Sequence, residues 1–98
     1  MTEYLKVDYH LLEGKSKEMA GHKDSFDRMI VQANTTIDGL SNAWDSTAQK
    51  QFADKFKELK QTFDNFSKML EDYSLFLKAS AGHYRTADEA IQSAIKKF

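Results

Sequence analysis

Residues 52–80, FADKFKELKQTFDNFSKMLEDYSLFLKAS, place Phe52, Phe56, Leu59, Phe63, Phe66, Leu70, Tyr73 and Leu77 at alternating steps of four and three. That alternation lays the apolar side chains along one stripe of an α-helix. The row continues through Ser80, Tyr84, Ala87, Ile91, Ala94 and Phe98. It predicts a helix from about residue 46 to about residue 97. A strict seven-residue repeat lags an ideal helix by about 20° per heptad, so the stripe is expected to wind slowly and the helices to supercoil left-handedly.

Upstream, Leu5, Leu12, Met19, Phe26, Ala33 and Leu40 recur every seven residues, with Tyr9, Ile30 and Ile37 in the row beside them. They predict a first helix over about 7–40. Glu13 with Lys17, and Asp24 with Arg28, have the spacing of exposed acid-to-base pairs on a helix. Between the two helices, Gly39 suits a C-cap, and Ser41, Asn42 and Asp45 suit turn or N-cap positions, which places a turn at about 41–45. Ser46-Thr47-Ala48-Gln49 reads as a capping box, Ser46 accepting from the backbone ahead and Gln49 reaching back. Lys96 and Lys97 complement the dipole at the last turn.

The chain of 98 residues has room for one domain, 1–98, with no proline to punctuate it. Fourteen basic residues against fifteen acidic ones leave a net charge of -1 with both signs interspersed, which gives no electrostatic footprint for nucleic acid. The opening MTEYLKVDYH carries Glu3 and Asp8 and does not read as a cleavable signal peptide. No apolar run approaches the roughly 20 residues of a membrane span, so stable membrane insertion is not expected. Without cysteine there is no thiolate chemistry, and His10, His22 and His83 share no ligand spacing. Asp54 with Glu58, and Glu71 with Asp72, read as solvated faces. Neither an enzyme, a metal site nor a cofactor is expected.

The implied fold is all-α, an antiparallel two-helix hairpin that dimerises into a four-helix bundle, because two helices alone cannot enclose these apolar side chains. Folding about residue 43 sets residue 7 beside about residue 79, so an overhang carrying Tyr84, Ile91 and Phe98 is expected to face water in a monomer. Helix two is apolar over a wide arc, with Met69 and Phe76 flanking the stripe and Leu75 off it, and Gly14 and Gly21 lie seven apart on the far side of helix one. These positions, with Ile91 and Phe98, form the expected partner interface. In an antiparallel dimer, Trp44 of one chain is expected near Tyr84 of the other.

The stretch Leu40-Ser41-Asn42-Ala43-Trp44-Asp45-Ser46-Thr47-Ala48-Gln49-Lys50-Gln51-Phe52 resembles the turn of the WxG-motif, hundred-residue proteins of ESAT type. Length and layout resemble that family along the whole chain. Ser46 departs from its glycine, so a left-handed backbone is not expected at that position, whereas an N-cap role suits serine. Trp44 reads as a ring plugging the end of the hairpin against Leu40 and Ala48, with an edge left for recognition. Tyr84-Arg85-Thr86-Ala87-Asp88 is similar to the family's Tyr-x-x-x-Asp/Glu export element, and Asp88 lies one turn from Tyr84 on the same face.

The resemblance implies a small substrate or effector of a bacterial type VII secretion system. Such a protein is made in the cytoplasm and exported as a dimer through a composite signal, the Trp44-Asp45-Ser46 turn together with Tyr84 and Asp88. The implied partners are a second copy or a related WxG-type protein, and the secretion ATPase. The alternative is a helical chaperone or targeting partner for a larger secreted toxin. A membrane-perturbing effector ranks behind both, because no strongly basic amphipathic face is present.

Overall fold

A computed structural model describes residues 7–96. Asp8 starts the first helix, α1 (Tyr9–Gly39), its carboxylate accepting the Leu11 amide at 3.1 Å. This N-cap satisfies one of the amides that a helix start leaves unpaired. The helix runs through Gly39 into a single 3₁₀ turn, Leu40–Asn42. The chain resumes as α2 (Thr47–Glu58) and α3 (Lys60–Lys96), which doubles back along α1. The result is an all-α antiparallel hairpin 78 × 25 × 15 Å in extent. The expected end of helix two at residue 97 lies outside the described residues.

The second helical path is interrupted at Leu59 (φ -78°, ψ -6°), whose amide bonds to Phe56 O at 3.1 Å. This is the tighter 3₁₀-type closure of one turn. The path then resumes, with the Phe63 amide donating to Leu59 O at 3.0 Å.

Small and polar residues set the hairpin seam. Ser16 Oγ donates to the Ser74 carbonyl at 2.8 Å, and Ser74 Oγ donates to the Ser16 carbonyl at 2.9 Å. Reciprocal bonds from side chain to facing backbone demand a close approach, which only small residues at the crossing permit. Farther along, Ser67 donates to Asp27 Oδ1 at 2.5 Å while Lys23 pairs with Asp27 Oδ2 at 2.8 Å. The Lys23 ammonium and Ser67 hydroxyl hold the Asp27 carboxyl below its ordinary range.

This seam changes the expected stripe. Phe56, Phe63, Leu70, Leu77 and Tyr84 face the seam half-buried, but the row beside them is Ser67, Ser74 and Ala81. Leu59, Phe66 and Tyr73 lie toward the flank and remain 43–53% exposed, the Phe66 ring still meeting Phe26 of α1 at 4.9 Å between centroids. Setting the large side chains to the flank of the crossing is what lets the serines meet backbone. Of the hydrophobic side chains in the described residues, only Ala81 is buried, and thirteen large ones are exposed. Hydrophobic burial within one hairpin is therefore slight.

Candidate functional site

At the turn end, the Leu40 carbonyl accepts the amides of Ala43 at 3.0 Å and Trp44 at 2.7 Å. Ser41 Oγ donates to Asp38 O at 2.9 Å. Gly39 sits at φ -69°, ψ -21°, and no described residue has positive φ, so the expected glycine C-cap is replaced by 3₁₀ closure. Ser46 occupies the extended region at φ -150°, ψ 160°, and its Oγ accepts the Gln49 amide at 3.1 Å.

The other half of the expected capping box differs. Gln49 does not reach back to Ser46; it is 3% exposed, and its Nε2 donates to the Ile37 carbonyl of α1 at 3.3 Å. That carbonyl near the end of α1 attracts the amide because Gln49 faces into the seam. Trp44 is 48% exposed, so within one chain it is not the buried plug that its size suggests. Asp45 is exposed and lies 3.7 Å from Lys50.

At the open end, Tyr84 is half-buried in the seam with its ring edge-on to His83. The Tyr9 hydroxyl donates to Asp88 Oδ2 at 3.4 Å, and Gln92 Nε2 donates to the same oxygen at 2.9 Å. Arg85 pairs with Glu13, and its guanidinium carbon lies 5.3 Å from the Tyr9 ring centroid. Partial burial, then the nearby Asp88 carboxylate, raises the Tyr9 phenol above its ordinary value.

Two expectations are corrected here. The contacts run on to Asp88, so the exposed overhang is residues 89–96, about 12 Å long, and Tyr84 is not part of it. The register follows the serine crossing and the reach of Tyr9 and Arg85, not the midpoint of the turn. Glu13 pairs across the hairpin with Arg85, where Lys17 was the expected partner, and Asp24 and Arg28 form no ion pair among the described residues. A contact across the seam gives Glu13 a partly shielded partner that a flexible neighbour on its own helix does not.

The expected interface residues are spread over more than one face. Met69 and Phe76 are 56% and 65% exposed and, with Phe66 and Tyr73, form a continuous ridge at helical spacing. Leu75 lies off this ridge, lining a shallow groove with Ser16, Ala20 and Lys78. A second groove of about 670 Å³ runs between the helices over Phe26, Ile30, Phe56 and Phe63. Gly14 and Gly21 are exposed, with nothing within 4 Å of where a Cβ would stand. Ile91 is 60% exposed on the overhang, and Phe98 lies outside the described residues.

The local pattern does not single out Ser16, Lys23, Asp27, Ser67, Ser74 or Arg85, which bond across or beside the seam. Ser67, Ser74 and Ala81 recur every seven residues, a small-residue row visible in the sequence once a close crossing is suspected. Nothing local marks Arg85, whose partner is distant in the chain.

The sequence pattern of the WXG100 family, proteins of 100 residues with WXG, matches residues 4–89. Protein YukE of Bacillus subtilis (strain 168) is 23% identical over 96 residues, which cover 98% of this chain and 99% of that protein. Among solved structures, Geobacillus thermodenitrificans EsxA superposes with a TM-score of 0.82 at 18% identity, covering 93% of this chain and 98% of that one. A point mutant of the secreted protein EsxB from Bacillus anthracis str. Sterne gives 0.75 at 23% identity, covering 92% and 99%. With a motif turn capped by Ser46, a helical hairpin of the same build and a family match along most of its length, this chain belongs to the WXG100 family.

Proposed function

We propose that this chain is a small substrate of a type VII secretion system, exported as a homodimer and recognised by the system's ATPase through the Trp44-Asp45-Ser46 turn and the Tyr84/Asp88 element. Membership of the WXG100 family supports the secretion reading. The observation that carries the dimer is the ridge Phe66, Met69, Tyr73 and Phe76, all at least 43% exposed on a hairpin in which Ala81 is the one buried hydrophobic residue among those described. An apolar ridge of this length on a chain with so slight a core calls for a covering surface. Antiparallel pairing of two hairpins supplies one and brings each turn toward the partner's open end. Among the described residues no helix is long and apolar enough to cross a membrane.

Two measurements test this. Light scattering of the purified chain is expected to give the mass of a dimer. Export from the native host is expected to fail for Tyr84→Ala and for Asp88→Ala while both variants stay folded by circular dichroism. A chain that purifies only with a larger secreted protein points instead to the chaperone or targeting role, and unchanged export of both variants sinks the signal assignment.

A further inference from the structure

Arg85 stands between Tyr84 and Asp88 in sequence, and its guanidinium, like the Asp88 carboxylate, reaches α1. There it pairs with Glu13 and covers the Tyr9 ring. Tyr9 in turn donates to Asp88 Oδ2 at 3.4 Å, so the carboxylate has one donor from α1 and one, Gln92, from its own helix. Asp88 is consequently half-buried, whereas residues 89–96 beyond it are exposed. Four side chains thus tie the first turns of α1 to the one stretch of α3 that includes the Tyr-x-x-x-Asp element.

We propose that Tyr9, Glu13 and Arg85 are positioning residues for that element, so that a cationic or hydrogen-bond-donating site on the partner reads a preformed surface made by both helices. The inference rests on the export reading of Tyr84 and Asp88. Its physical basis is preorganisation. A helix end without tertiary contacts frays, and a partner that binds it must meet the cost of ordering it. The Glu13–Arg85 pair, the cation over the Tyr9 ring and the Tyr9–Asp88 bond are individually weak at partly exposed sites. They act on adjacent turns and restrain the same carboxylate.

The test uses the full chain carrying Glu13→Arg, Arg85→Glu, or both, with two readouts: amide hydrogen exchange and export from the native host. Each single reversal is expected to speed exchange over residues 82–92 by about two- to fivefold, the range of a partly exposed ion pair. Exchange over residues 30–40 should stay unchanged, and exported protein should fall. The double reversal restores opposite charges and is expected to recover both readouts, which a nonspecific loss of stability does not do. Tyr9→Phe keeps the ring under Arg85 and removes the donor to Asp88, so it is expected to lower export with a smaller change in exchange. Unaltered exchange in Glu13→Arg overturns the proposal, as does export that ignores all three reversals while Asp88→Ala is not exported. Normal export of Asp88→Ala, by contrast, defeats the export reading itself and removes the basis of the proposal.

Discussion

Ser46 shows what a serine does at the third position of a Trp-x-Gly turn. Its extended backbone needs no glycine, and its hydroxyl caps α2 by accepting the Gln49 amide. Ser46→Ala is therefore expected to cost about 1 kcal/mol, measured by urea denaturation, whereas Ser46→Gly costs only a few tenths. Asp27 offers a pH test at the same scale. Its folded carboxyl is held low by Lys23 and Ser67, so its stabilisation is complete above the unfolded carboxylate value of about 3.9 and is lost as pH falls through the lower folded value. Between pH 7 and pH 2 the urea midpoint of Asp27→Asn is expected to fall less than that of the natural chain. The Ser46 role was legible in the sequence, because capping chemistry is local. The Asp27 cluster was not, since it joins residues forty apart.

At the level of the helices, the crossing of Ser16 and Ser74 decides which row of α3 faces α1. Each hydroxyl bonds the other helix's carbonyl, which fixes both the separation and the register. Ser74→Ala keeps the small volume and forfeits hydrogen bonds, an expected loss of about 1 kcal/mol. Ser74→Leu improves the apolar stripe on paper but forces the helices apart, and its expected loss of about 1–3 kcal/mol by thermal or urea unfolding is larger. A result in the opposite order would show that the hydroxyls, and not the close approach, hold the seam. The interruption at Leu59 leaves α2 and α3 as two pieces of one path, which the periodic pattern reads as a single helix because the apolar spacing continues across it.

Across the whole molecule, the turn and the open end lie far apart, since a nearly continuous helical path of 40 positions separates 44 and 84, about 60 Å. A short crosslink between them cannot form within one chain. In the proposed antiparallel dimer it is expected between chains, and its absence in a confirmed dimer would argue for another packing. The ridge makes a second demand. Phe76→Asp places a carboxylate where the partner is expected to bury an aromatic ring, and the dimer dissociation constant should rise at least about tenfold by concentration-dependent light scattering. An unchanged constant would move the interface to the groove over Phe26 and Phe63.

Local sequence settles the helical period, the place of the reversal and the Ser46 cap that follows it, because these depend on neighbours within a turn or two. It also marked helix two as too apolar for one partner helix. Which of two adjacent rows faces inward was decided by tertiary structure alone. Periodicity ranks Leu59, Phe66 and Tyr73 above Ser67, Ser74 and Ala81, yet close backbone approach and buried hydrogen bonds select the small row. The surroundings of Asp88 were settled in the same way: Tyr9 lies 79 residues away, and only the fold brings its hydroxyl to the carboxylate.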